Sequence, residues 1–393
     1  MEPQEPTPNR EEHTSRLEVV AQLRAELIGI LENVETVWHT PSPHPQAKRL
    51  FGSRTPISFR GDLIADAEEG YKQIRERFED LRYTPTMREE DGHVIVTALP
   101  VVFGRSIPER WWINLVLYVL SILSTMFVGA LLEMEQPELT DAVMALLREP
   151  RLILNGLPAS LTIMGILTVH ELGHYFAARK HGLNSSLPYF IPLPFGLIGT
   201  MGAVIHMRTP WQDRDALFDV GAAGPLAGIA VALPLFFIGM MLSPAEPPQA
   251  IGTELGAPLL LGWMEDLVYV LRGIPEDYVI YVNSWTFTAW FALFVSGLNL
   301  LPIGQLDGGH VAYAVLGDRV RIVTGAVVAL VGVLGLILWQ GWFAWIFFSL
   351  LSGWRHPPPL NALSRLSPGR QKLGIVVFAL MVLLFTPSPF PGL

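Results

Sequence analysis

The residues His170-Glu171-Leu172-Gly173-His174 close an apolar run that includes Ile163, Met164, Ile166, Leu167 and Val169, and Tyr175 and Phe176 follow. On a helix, positions i and i+4 lie about 40° apart around the axis and about 6 Å along it, so both imidazoles can meet one metal ion. Glu171 then lies beside the site. A zinc ion held by two His and one carboxylate keeps a position open for water and lowers its pKa. The Glu can take that water's proton and later deliver it to a leaving amine. A pattern with three fixed positions also arises by chance. Two His and a Glu within about one turn of a lipid-embedded helix are expensive to bury, however, and ionisable groups at that depth are by default functional. The chain has no cysteine. Disulfides, iron-sulfur clusters and thiolate zinc sites are excluded, and any metal must sit on His, Asp or Glu.

A third ligand is required, and nothing suitable follows on the same helix. His181, seven residues past His174, is a candidate that reads equally as a solvated loop histidine. Further on, Asn299-Leu300-Leu301-Pro302-Ile303-Gly304-Gln305-Leu306-Asp307-Gly308-Gly309 puts an Asp at or near membrane depth. Pro302 breaks the helix, and two glycines beside Asp307 let another helix or a metal approach closely. Asp307 is the expected third ligand; the alternative is a turn Asp before two glycines.

These residues must be positioned by a membrane protein. Half of the 393 residues are hydrophobic and 16% are charged. Long apolar runs at 111–132, 152–178, 220–242, 285–301 and 322–338 approach the roughly 20 residues that a bilayer core demands, and shorter runs lie at 342–351 and 373–385. The expected fold is a mainly α, polytopic transmembrane bundle of about six or seven spans. The formal net charge of -9 offers no basic surface, so nucleic acid is not an expected partner. Lys and Arg set the orientation: Arg105 and Arg110, Arg179 and Lys180, Arg208 and Arg214, and later Arg319, Arg321, Arg355, Arg365 and Arg370 fall on one side. The loop 243–284 is acidic, with Glu246, Glu254, Glu265, Asp266, Glu276 and Asp277. The N-terminus is expected in the cytoplasm. Residues 1–16 resemble neither a signal nor a transit peptide, which favours a prokaryotic cell membrane. Trp111, Trp112, Trp285, Trp342 and Trp354 fall near span ends as an aromatic belt.

Residues 1–104 read as a soluble region and 105–393 as the membrane domain. In the first, Leu17, Val20, Leu23, Leu27, Ile30 and Leu31 recur at helical spacing and predict an amphipathic helix that ends before a Pro-rich linker at 41–45. A strand over 55–64, a helix over 66–81 and two strands around Asp91-Gly92 complete a small α+β domain.

HELGH together with N-x-x-P-x-x-x-x-D-G resembles the site-2 protease family of intramembrane metalloproteases (peptidase family M50), over a core of about 152–317. The resemblance implies that His170, His174 and Asp307 bind one zinc ion and that Glu171 is the general base. Asn299 would hydrogen-bond the substrate peptide or the oxyanion; a helix-packing amide is the other reading. It also implies that 187–207 forms a re-entrant β-hairpin in which Gly199, Gly202, Ala203 and Val204 meet an extended substrate by strand addition. An interfacial loop is the alternative. The small residues of 221–228 read as tight helix packing, His206 and His310 as solvated or scaffold residues, and His356 as a cytoplasmic one.

The implied activity is proteolysis of a membrane-spanning protein substrate whose helix locally unwinds in the bilayer. Two other functions compete: a multi-pass transporter or ion carrier using the same ionisable cluster, and a non-catalytic binding homologue.

Overall fold

The computed structural model describes residues 10–37, 55–103, 110–134, 139–249, 254–351, 353 and 356–391. The linker at 41–45, Arg105, Trp354 and Arg355 lie outside the described residues. The chain is mostly helical and divides into two compact units.

The first unit comprises Met1–Ser106 with the short segments Thr209–Arg214 and Pro358–Arg365. Helix α1 (Arg10–Ala25) leads to strand β1 (Leu31–Val37). Strand β2 (Ile57–Leu63), helix α2 (Ala67–Asp80) and strands β3 (Thr84–Glu90) and β4 (His93–Leu99) follow. The four strands form one antiparallel sheet in the order β1-β2-β4-β3. The helical spacing of Leu17 to Leu31 does not continue as one helix. It ends at Ala25, the chain turns through Gly29 at φ 85°, and Leu31 pairs with Leu63 as the first residue of β1. Val20, Leu23, Leu27, Ile30 and Leu31 are nevertheless all buried, because helix, turn and strand deliver them to one core.

Asp66 caps α2 by accepting from the Glu68 amide, and Tyr71, Ile74 and Phe78 form its buried stripe. Asp91 and Gly92, both at positive φ, make the two-residue turn between β3 and β4, as their sequence predicts. The outer edge of β3 is not left open. The Met87 amide donates to Leu360 O and Met87 O accepts from the Ala362 amide, while Leu360 in turn donates to Trp211 O. A later segment, itself bonded to Trp211, thus satisfies part of an edge that would otherwise invite pairing.

The second unit holds the apolar helices: α3 (Trp111–Leu132), α4 (Leu139–Arg148), α5 (Leu157–Lys180), α6 (Arg214–Leu242), α7 (Leu259–Arg272), α8 (Ser284–Asn299), α9 (Asp307–Leu316), α10 (Val320–Ile337), α11 (Gly341–Leu351) and α12 (Pro368–Leu384). Strands β5 (Tyr189–Pro192) and β6 (Thr200–Val204) form a hairpin between α5 and α6, and β7 (Ala245–Glu246) pairs with β8 (Val279–Ile280).

Among the described residues, four helical stretches are long and apolar enough to cross a membrane: Trp111–Leu132, Pro150–Lys180, Arg214–Leu242 and Asp307–Ile337. The stretch expected to span at 285–301 is a helix of 16 residues that ends at Asn299, just before Pro302. Helices α11 and α12 have 11 and 17 residues. Trp342, expected in an interfacial belt, is fully buried among Phe294, Leu298, Leu301, Ile303 and Val331, and its Nε1 donates to Pro387 O.

The sheet core of the first unit carries a direct test. Phe59 is fully buried, whereas Ile28 in the adjoining turn is 71% exposed. Phe59→Ala is expected to cost about 3–5 kcal/mol and Ile28→Ala less than about 0.5 kcal/mol. Denaturant-dependent proteolysis of the full chain in detergent measures the difference.

Candidate metal centre

Helix α5 carries His170 and His174 one turn apart, and both Nε2 atoms face the same point, 3.1 Å from each other. Asp307 reaches them from the first residue of α9. Its Oδ2 lies 3.4 Å from His170 Nε2 and its Oδ1 3.5 Å from His174 Nε2. Tetrahedral bonds of about 2.0–2.1 Å separate two ligand atoms by roughly 3.3 Å. The three observed separations are close to that value, with a different carboxylate oxygen nearest each imidazole, and the donor set of two neutral imidazoles and one carboxylate suits a divalent ion of the zinc type. Among the described residues, these are the one group of three that could hold a metal.

The tautomer that a ligand needs is set by the neighbouring helix. His174 Nδ1 lies 2.7 Å from Val220 O on α6. A carbonyl only accepts, so Nδ1 carries the hydrogen and Nε2 presents its lone pair.

The helices can approach this closely because α6 lacks side chains where the rings lie. A Cβ on Gly224 would overlap the His174 ring, and one on Gly228 would come 3.1 Å from His170 Nδ1. Across the same contact, a Cβ on Gly173 would lie 2.6 Å from Ala223 O. The small residues of 221–228 therefore make room for the His170 and His174 imidazoles as well as for helix packing. The sequence shows the small-residue run but not what it faces. On the Asp307 side, the chain folds back so tightly that a Cβ on Gly308 would overlap the Leu300 carbonyl.

Glu171 follows His170 and is 7% exposed. Among the described residues no hydrogen bond or ion pair holds its carboxylate. Asn299 closes α8, a helix that packs along α5, and is partly exposed. His181, considered as a third ligand, is instead 2.8 Å from Asp219 Oδ2.

The segment 187–207 contains a hairpin, β5 with β6, in which Tyr189 pairs with Val204 and Phe190 with Ala203. Asn114 Nδ2 on α3 donates to Leu187 O and Pro188 O, and Ser124 Oγ donates to Gly199 O. Gly199, at φ 81°, is buried against α3: a Cβ there would lie 2.6 Å from Ser124 O. Gly202 and Ala203 are partly exposed and Val204 is exposed.

His206 is exposed. His356 is a buried residue. It is 8% exposed, its Nε2 lies 2.6 Å from His310 Nδ1, and its ring stacks on Tyr313 at 4.7 Å. Burial first, and then the neighbouring His310, pull its pKa down from 6.5 to about 3.

Residues 158–339 match the family described as Peptidase family M50, which bears out the resemblance carried by the two motifs. The chain is 29% identical over 351 residues to a protein of Arabidopsis thaliana named probable zinc metalloprotease EGY2, chloroplastic; the match covers 85% of this chain and 60% of that protein. A protein of the same name from Oryza sativa subsp. indica is 26% identical over 358 residues, covering 85% and 62%. The probable zinc metalloprotease EGY1, chloroplastic, of Arabidopsis thaliana is 29% identical over 242 residues, covering 59% and 43%. The chain thus spans about three fifths of the length of the first two relatives. The chloroplast in these names belongs to those proteins.

Two outcomes follow from the geometry. Gly224→Ala is expected to weaken metal uptake by about 100-fold or more, because the added methyl displaces a ligand ring. Gly165→Ala, which meets open space on α5, leaves uptake unchanged; Co2+ titration reads both. For His356, the unfolded chain binds a proton below its ordinary pKa of 6.5 that the folded chain refuses down to about 3. Stability is therefore full above pH 6.5 and falls as the pH drops through that window. Thermal unfolding of wild type against His356→Gln across this range should show a smaller loss in the variant.

Proposed function

We propose that the chain is an intramembrane zinc metalloendopeptidase that cleaves membrane-spanning protein substrates, with His170, His174 and Asp307 as the zinc ligands and Glu171 as the general base. What supports the reading is the convergence of two imidazoles and a carboxylate at tetrahedral spacing beside a buried Glu. The peptidase match over the same residues and the zinc in the relatives' names agree with it.

When bound, zinc at this triad polarises the scissile carbonyl and acidifies a water molecule. Glu171 takes a proton from the attacking water and returns it to the leaving amine nitrogen, so the carboxylate ends the cycle as it began. Asn299 donates from its side-chain amide to the substrate backbone, or to the carbonyl oxygen as that oxygen becomes negative. The ring orientation set by Val220 O keeps the His174 lone pair available throughout.

A helical substrate hides its carbonyls in its own hydrogen bonds and must unwind before attack. The hairpin is the element suited to hold the unwound segment. Gly202, Ala203 and Val204 offer the strand edge, while Gly199 is spent on the contact with α3. In this reading the hairpin dips into the bilayer, and residues 1–104 and the Arg- and Lys-bearing loops around Arg179, Lys180, Arg208 and Arg214 face the cytoplasm. The protein is then a multi-pass membrane enzyme, with residues 152–317 as its catalytic core and lipid as its surroundings.

Metal content and cleavage of a single-span substrate in liposomes test this together. Glu171→Gln is expected to keep wild-type zinc while the cleavage rate falls by about 10²–10⁴-fold. Cleavage at the wild-type rate by that variant removes Glu171 as the base. A transporter would show flux and no cleavage in either protein.

A further inference from the structure

Arg370, in the first turn of α12, lies beyond the stretch 158–339 that matches the peptidase family. Its guanidinium is engaged on all three nitrogens. Nε and Nη2 donate to the two oxygens of Asp219, each at 2.6 Å, and Nη1 donates to Asp215 Oδ2 at 2.6 Å and Ser367 Oγ at 2.8 Å. Asp215 Oδ1 also accepts from the Ser367 amide at 2.9 Å. His181, the residue that caps α5, adds its Nε2 to Asp219 Oδ2 at 2.8 Å. The four charged or titratable side chains are between 18% and 29% exposed, so the network is largely shielded from water. A two-pronged guanidinium–carboxylate pair of this kind fixes direction as well as distance.

What the clasp holds is next to the metal centre. Asp219 immediately precedes Val220, whose carbonyl accepts the His174 Nδ1 hydrogen at 2.7 Å. The end of the ligand helix, through His181, and the start of α6, through Asp219, are thus tied to one another and to α12 one residue from the carbonyl that sets the ligand tautomer. A helix advances about 1.5 Å per residue. A slide of α6 by even one residue would lengthen or bend the hydrogen bond from the ring to Val220 O. The Asp215 arm by itself would anchor the start of α6 to α12; the two-pronged arm on Asp219 adds a constraint on the residue that matters to His174.

We infer that Arg370, acting through Asp219, is a positioning residue for the metal centre: the clasp keeps α6 in the register at which Val220 O orients His174 toward the metal. This rests on the reading of His170, His174 and Asp307 as a zinc site. The sequence 158–339 would then be incomplete as a metal-binding unit, needing the start of α12 to hold one of its ligand rings in place.

The test uses the full chain in detergent with zinc alone, its Kd measured by competition with a chromophoric chelator, and the visible spectrum of the Co2+-loaded protein. Arg370→Gln and Asp219→Asn are expected to raise the zinc Kd by about 10–100-fold and to alter the Co2+ bands at saturating metal. Arg321→Gln, which removes a charge from an exposed ion pair with Asp318, leaves both readouts at wild type. Lowered thermal stability with wild-type Kd and wild-type Co2+ bands in both clasp variants would overturn the inference, since it would make the clasp a purely structural tie. Should Arg370→Gln fail to fold, the near-isosteric Asp219→Asn decides. A folded wild type that binds no zinc would instead overturn the zinc reading itself, so the two failures are distinguishable.

Discussion

Two imidazoles and a carboxylate aimed at one point among apolar helices are costly unless a cation or a proton compensates them. That cost shapes everything around His170, His174 and Asp307. The rings lie against α6, and that helix presents glycine rather than a side chain there, at Gly224 and Gly228. They must present their lone pairs inward, so a backbone carbonyl, Val220 O, takes the His174 Nδ1 hydrogen. The carboxylate must reach them from another part of the chain. Pro302 ends α8 after Asn299, and α9 then begins with Asp307 as its first residue.

The tight approach of the helices also decides which element beside them is extended. Helices α5 and α6 meet along glycine contacts, and α8 packs along α5, which leaves the hairpin strand β6 as the extended element near the ligand helix. The hairpin is fastened to α3 at two points: Asn114 donates to Leu187 O and Pro188 O just before β5, and Ser124 donates to Gly199 O just before β6. The start of each strand is thereby held, while Gly202 and Ala203 are partly exposed and Val204 is exposed at the far end of β6. An edge fixed in this way suits recognition through main-chain hydrogen bonds, which tolerates many side-chain sequences. The same economy appears in the first unit, where a chain segment from far along the sequence closes part of the edge of β3.

That His170, His174 and Asp307 come together was largely legible in the sequence because its signals are local and chemical. The i, i+4 spacing of His170 and His174 follows from helix geometry, and an Asp after a proline and before two glycines in an apolar region has few other uses. The hairpin turn at Asp91-Gly92 and the helix capped by Asp66 were legible for the same reason, since each is decided within a few residues. The helix expected over Leu17 to Leu31 failed where a local rule was ambiguous. Apolar residues at helical intervals are buried equally well when a turn at Gly29 hands the last of them to a strand.

The sequence by itself determined which residues could carry the chemistry and that they must lie in apolar helices, since residue type, spacing and hydropathy are properties of short stretches. Only the tertiary structure decided what those stretches face. It turned His181 from a candidate ligand into a partner of Asp219, buried His356 against His310 and Tyr313, and placed Trp342 in a core instead of an interface. It also joined Arg370 to Asp219 across 151 residues of chain. Such pairings depend on helices from distant parts of the sequence meeting in register, and that register is set by packing that no single stretch contains.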